Sequence, residues 1–208
     1  MSTDPLLQPY QLKHLTLRNR IMTTAHEPAY PVDGMPTERC AAYHAERAKA
    51  GVALAMTAGS ATVSRDSPPV FNNILAYKDE VVPWTRNLTD AIHEHGCAVM
   101  IQLTHLGRRT GWNKGDWLPS ISSSKHREPA HRSFPKLMED WDIARVITDF
   151  ADAAERMVAG GMDGIELQVP DAWTTRPTAA SPPCSMWSAA PDGSAGSSPH
   201  SRARDNCP

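Results

Sequence analysis

One stretch in this chain of 208 has the residue types and spacing to do chemistry on a bound ligand. In CAVMIQLTHLGRR (97–109), the apolar run Ala98 to Gln102 leads straight into Leu103, Thr104, His105, Gly107, Arg108 and Arg109. The run reads as a strand buried on both faces, with the Gln102 amide emerging at its end. NRIMTT (19–24) is a shorter strand that runs into Ala25, His26, Glu27 and Pro28, and VALAMT (52–57) runs into Ala58, Gly59 and Ser60. In parallel α/β folds the carboxyl ends of strands carry the functional groups, so the Gln102 amide emerging at a strand end is well placed to read a ligand. The plainer alternative for Gln102 and His105 is a polar residue satisfied at a strand terminus.

The elements that must position these groups alternate regularly. Residues 5–18, with two apolar clusters around Pro9, read as a lead-in strand or hairpin. After the strand at 19–24, Pro36 and Thr37 open a helix that Gly51 closes, and the strand at 52–57 follows. A second helix is predicted from Asp79 to His95, with Val82, Trp84, Leu88, Ala91 and Ile92 as its apolar face and Gly96 as its stop. The polar stretch 111–140 is too long for a plain connector and reads as a binding or lid loop. A third helix, Asp140 to Ala159, places Ile143, Val146, Ile147, Phe150, Ala154 and Met157 on one face, and Asp163 to Leu167 is a fourth strand. Strict alternation implies parallel strands with right-handed crossovers, hence a doubly wound sheet or a (β/α)8 barrel.

Composition narrows the partners. Lys plus Arg number 21 against 23 Asp plus Glu, a formal charge of −2, which gives no electrostatic case for nucleic acid or an anionic membrane. Cys40, Cys97, Cys184 and Cys207 are widely spread, without metal-ligand spacing. The amino terminus lacks the apolar core of a signal peptide, and no run approaches the roughly 18 apolar residues of a membrane span. A reduced cytoplasmic protein is expected.

From Val169 the composition changes. Residues 169–208 hold seven Ala, seven Ser and seven Pro, with no Leu, Ile, Phe or Tyr, too little apolar surface to offset ordering entropy. The expectation is two parts: a folded unit over 1–168 and a disordered or frameshifted tail over 169–208. The change falls just after a strand, which favours a lost reading frame over a natural tail. Sequencing the codons of Gln168 and Val169 would decide it: no single-base shift restoring an α/β pattern would end the frameshift reading.

NRIMTTAHEPAY, MTAGSATVS, IQLTHLGRR, GDWLPS, REPAHRSFPK and GMDGIEL, in this order over residues 5–168, resemble the Old Yellow Enzyme family of NADH:flavin oxidoreductases. The likeness is strongest to its branch of trimethylamine dehydrogenases and N-methylproline demethylases. The resemblance implies the amino-terminal half, four strands, of an FMN-binding (β/α)8 barrel. It further implies that Thr24, Ala25 and His26 line the flavin ring, that Gly59 is the small residue beside it, and that Gln102 reads its pyrimidine edge. Reading that edge needs a donor and an acceptor on one planar group. The alternative for His26 is a strand-end residue bonded to backbone, and His105 and Arg108 read as structural.

The activity implied is oxidative N-demethylation of an N-methyl amino acid such as N-methylproline. The alternative is reduction of an enone by an ene-reductase or 2,4-dienoyl-CoA reductase-like enzyme, with NAD(P)H as electron donor. Glu27 stands where trimethylamine dehydrogenase has its flavin-bonding cysteine, so FMN here is expected to be non-covalent. The iron–sulfur cysteines of the branch have no match, and neither do strands five to eight with the flavin phosphate site. The isolated chain is therefore expected to be poorly stable at its fourth-strand edge and not to retain FMN. A self-associating, non-enzymatic half-barrel is the competing class.

Overall fold

The computed structural model describes residues 3–130 and 132–168; the expected tail 169–208, with Cys184 and Cys207, lies outside them. The predicted lead-in is an antiparallel hairpin, β1 (Tyr10–Leu12) and β2 (Leu15–Leu17), turned at Lys13 with φ +51°. There follow β3 (Met22–Thr23), α1 (Glu38–Lys49), β4 (Leu54–Thr62), α2 (Val81–His93), β5 (Ala98–Thr104), β6 (Ile121–Ser122), β7 (Lys136–Leu137), α3 (Asp140–Ala159) and β8 (Gly164–Gln168).

One parallel sheet of four strands, in the order β3-β4-β5-β8, forms the frame. Strand order follows chain order, without the reversal that marks a doubly wound sheet at its switch point. The faces are also unlike. Ala55, Val99, Ile101, Leu103 and Ile165 pack with Leu88, Ile92 and Met157 of the helices, while Leu54, Met56 and Met100 pack with Leu12, Leu15 and Leu17 of the hairpin. Helices cover one face and the hairpin plugs the amino end of the other, as in one half of a (β/α)8 barrel.

Local chemistry explains the ends. Glu38 in the first turn of α1 and Arg47 and Lys49 in its last complement the helix dipole, and Gly51 takes the φ of +108° that turns the chain back to β4. Asp142 accepts the Glu139 N–H at 2.9 Å and so completes the start of α3. One guanidinium, Arg18, donates to the carbonyls of Ala48, Val52 and His95 at 2.6, 2.7 and 2.8 Å, tying the ends of α1 and α2 to the hairpin.

Several expectations are corrected. The first strand keeps only Met22 and Thr23, because the Asn19 carboxamide accepts the Ile21 N–H and donates to Gly51 O, folding 19–21 into a bend. The second strand does not stop at Thr57; it runs to Thr62 through an irregularity at 58–60, where Ala58 has φ +49°. Gly59 thus lies within β4 and not after it. The third strand continues two residues past Gln102. The long polar stretch is not wholly irregular, since β6 and β7 pair within it.

Two helix faces also differ. Trp84 is exposed on α2 while Thr85 and Thr89 are buried, because α3 ends against them: a Cβ on Gly160 would stand 2.6 Å from Thr85 and one on Gly161 2.8 Å from Thr89. On α3 the buried residues are Asp142, Val146, Ala153 and Met157, leaving Ile143 and Ile147 exposed. A helix of this length carries two apolar stripes, and the described chain covers one.

Candidate flavin-edge site

The sheet register places the sequence-predicted groups at one level. β4 and β5 pair as Thr57↔Ile101 and then Ala61↔Leu103, so the extra residues Ala58–Ser60 stand opposite Gln102. On its other side Gln102 pairs with Glu166 and donates from Nε2 to the Glu166 carboxylate at 3.2 Å. Alternation puts both side chains on the Met100 face, the barrel's inner side. Among the described residues, one N–H and the carbonyl oxygen of the Gln102 amide remain for a ligand.

Gly59 meets the segment leaving β3. A Cβ built on it would stand 2.9 Å from the backbone of His26 and 2.8 Å from Glu27 N, closer than real Cβ atoms approach. The missing side chain serves a protein–protein approach here: only glycine lets the β4 irregularity press against 26–27. Ala25 packs on the inner cluster, Thr24 is exposed one residue beyond the last β3–β4 pair, and the His26 ring stacks on Tyr43 of α1 at 6.3 Å. Gly59, His26 and Gln102 are therefore brought to one rim, with Thr24 and Ala25 on the strand exit beside them.

Two groups on this rim carry more weight than their sequence pattern suggested. Glu27 accepts the Ala29 N–H at 3.0 Å through Oε1, while Oε2 is buried with no partner among the described residues. Burial raises its carboxyl to about 7, against the pull of the Ala29 N–H. His44 on α1 is also buried, with Nδ1 unpartnered among the described residues. Burial, then the charges of Arg47 and His26, lower it to about 4, so it is neutral near pH 7. Burial likewise pushes the Cys40 thiol up. Glu166, a charge between Ile165 and Leu167 inside the fourth strand, was a signal that could have singled it out.

Behind the rim lies a polar knot that the sequence reading missed. His105 is fully buried; its Nδ1 accepts the Gly107 N–H at 3.1 Å, which leaves the proton on Nε2 to be donated to Asp66 at 2.9 Å. Asp66 also accepts from Ser64 at 2.7 Å and pairs with the Arg145 guanidinium, which reaches Asp149 at 2.7 Å. Burial would raise the Asp66 carboxyl, but the His105 and Ser64 hydrogen bonds and the Arg145 charge outweigh it and hold it well below the usual carboxylate range. His105 is thus a structural tie between β5, the loop after β4 and α3. A cleft of about 460 Å³ beside the knot is lined by Tyr77, Ile121, Lys136, Trp141 and Arg145. Its charges are already matched, Lys136 to Asp142 and Arg145 to Asp66, which points the ligand site to the strand rim instead.

The rim fits the edge of a flavin ring: an amide with donor and acceptor, a carboxyl oxygen without a partner, and a backbone approach that excludes side chains. The model of the NADH:flavin oxidoreductase / NADH oxidase family matches residues 5–173. The chain belongs to this family of FMN-dependent enzymes. Over 168 residues it is 74% identical to a probable N-methylproline demethylase of Rhizobium meliloti, covering 81% of this chain and 25% of that protein. A multifunctional alkene reductase/demethylase of Caballeronia cordobensis is 51% identical over 165 residues, 79% of this chain and 24% of the relative. An N,N-dimethylglycine/sarcosine dehydrogenase of Chromohalobacter salexigens is 46% identical over 169 residues, 80% and 24%. The chain spans about a quarter of the length of these relatives. Among solved structures, morphinone reductase superposes with a TM-score of 0.73 at 21% identity, covering 80% of this chain and 48% of the other, which shows the shared fold. The described residues have the fold of about half of that barrel. Among the described residues no helix is long and apolar enough to cross a membrane.

Proposed function

We propose that this chain carries the flavin-ring half of the site of an enzyme that oxidatively removes the methyl group of an N-methyl amino acid such as N-methylproline. The 74% identity to a probable N-methylproline demethylase carries this reading. FMN, when bound, supplies the hydride acceptor for the N-methyl carbon, and the resulting substrate iminium is hydrolysed to formaldehyde and the demethylated amine.

The residues of this chain position and protonate. The free N–H and carbonyl of the Gln102 amide would hold the ring edge, with Glu166 fixing which way the amide faces. Thr24, Ala25 and His26 would line the ring, and Gly59 keeps their backbone in place. Glu27 Oε2, buried and without a partner among the described residues, would hold a proton near pH 7 and release it above that. A carboxyl balanced in this way accepts a proton from a substrate ammonium, leaving the neutral amine that hydride loss requires. NAD(P)H is the proposed electron donor for the reductive chemistry of the family, and the cytoplasm the proposed compartment, supported by the free Cys40 and Cys97 thiols.

A second reading, alkene reduction, is favoured by the 51% identical relative that bears both activities in its name. The two separate in a chimera in which residues 1–168 of this chain replace the matching part of the Rhizobium meliloti relative. Formaldehyde release from N-methylproline, abolished by Gln102→Glu, is the expected result. Reduction of an enone by NAD(P)H without formaldehyde would replace the first reading with the second, and inactivity in both assays would overturn both. The separate 208-residue chain, holding the rim alone, is expected to purify colourless; a stoichiometric flavin band would show that it holds the cofactor unaided.

A further inference from the structure

Among the described residues the sheet has two unpaired edges, and both are flanked by apolar side chains. Among the described residues β8 has a strand neighbour on the β5 side only, and β3 on the β4 side only. Beside β8, Leu167 is 37% exposed and the second stripe of α3 leaves Ile143 and Ile147 at 43% and 66%. Beside β3, Ile21 and Met22 are 40% and 44% exposed. Leu6, exposed as well, is held there by its carbonyl accepting the Arg20 N–H at 2.9 Å. A parallel strand edge flanked by large aliphatic residues is a template for another strand.

We propose that these edges dock a second copy of the chain, β8 of each copy against β3 of the other, to close an eight-stranded ring around a twofold axis. Three observations single out a copy as occupant. The four strands and three helices match about half of a solved barrel of this family, and two such halves supply the eight strands that close with a packed interior. The apolar rims lie on opposite edges of one sheet, so each copy offers what the other needs, and the arrangement closes instead of propagating. Residues 169–208 contain no Leu, Ile, Phe or Tyr, a composition unsuited to covering the α3 stripe.

Light scattering on the full 208-residue chain tests this, and paired variants keep the outcome readable. The wild-type chain is expected as a discrete dimer over a hundredfold range of concentration. Leu167→Lys and Ile21→Glu, each on one edge, are each expected to give monomers with an unchanged far-ultraviolet circular dichroism spectrum. An equimolar mixture of the two variants is expected to recover dimer, because a mixed pair has one interface wild type on both sides. A monomeric wild-type chain, polydisperse aggregate, or a wild-type dimer whose variants fail to complement would each overturn the proposal. Chains that lose their spectrum are replaced by Leu167→Gln and Ile21→Gln, read in the same way.

Discussion

The Gln102 amide donates to the Glu166 carboxylate at 3.2 Å across directly paired positions of β5 and β8. This contact fixes which face of the amide is left for a ligand. Replacing Gln102 by Glu sets two half-buried carboxylates side by side, and like charges raise each other's proton affinity. Gln102→Glu is expected to lose about 1–2 kcal/mol near pH 7 and to recover most of it near pH 4.5, where one carboxyl is protonated. Urea midpoints at the two pH values measure it. Equal losses at both would show that the pair does not interact.

Gly59 is irreplaceable for a different reason from Gly96. A Cβ at Gly59 meets the backbone of His26 and Glu27 at under 3 Å, and backbone does not step aside. Gly59→Ala is expected to cost about 1–3 kcal/mol, the range of overpacking in a close-packed region. Gly96 has nothing within 4 Å but holds φ +63°, so Gly96→Ala is expected to cost about 1 kcal/mol through backbone strain alone. If Gly59→Ala were as mild as Gly96→Ala in a denaturant titration, the close approach of β4 to 26–27 would be refuted.

Asp66 joins three elements through His105, Ser64 and Arg145. Asp66→Asn weakens the His105 and Ser64 hydrogen bonds and leaves Arg145 with Asp149 as its one carboxylate among the described residues, and is expected to cost about 1–3 kcal/mol at pH 7. The sign of the pH dependence follows from a carboxyl held below its ordinary range. Its stabilisation is present above the unfolded value of about 4 and is lost as pH falls below that. The wild-type stability should therefore decline on the acid side more steeply than that of Asp66→Asn, and superimposable acid limbs would contradict the assignment.

Much of this was legible in the residues. Alternating apolar runs and glycine stops located α1, α2, α3, β5 and β8, because burial on both faces leaves an unbroken apolar run that polar loops cannot imitate. The irregularity in β4 escaped, since Ala-Gly-Ser reads locally as a turn and only the β5 register shows the strand resuming at Ala61. The exposed Ile143 and Ile147 escaped because helical period gives two stripes without saying which has a neighbour. Asp66, His105 and Arg145 lie far apart in sequence, and no local period joins them. Gln102 stood out as the amide ending an apolar run, Gly59 was found through family likeness, and Glu166 became visible as a partner of Gln102 only with strand pairing.

Glu27 gives the test with the most direct bearing on chemistry, since its unpartnered Oε2 lies on the rim. Its carboxyl is raised to about 7 by burial, so between about 4.5 and 7 the folded chain keeps a proton that the unfolded chain has released. Stability is then full below the unfolded value and is lost as pH rises through the folded one. The groups that bear on this corner are His26, Cys40, His44 and Arg47, and His44, lowered to about 4, stays neutral across that window. Glu27→Gln removes the titrating proton, so the variant should be more stable than wild type above pH 7 by on the order of 1–2 kcal/mol, discounted for partial solvent access. The two should converge below pH 4.5. Denaturation midpoints from pH 4 to 8.5 measure the difference, and parallel curves would mean that folding does not raise the Glu27 carboxyl, leaving it too weak a base to hold a substrate proton at neutral pH.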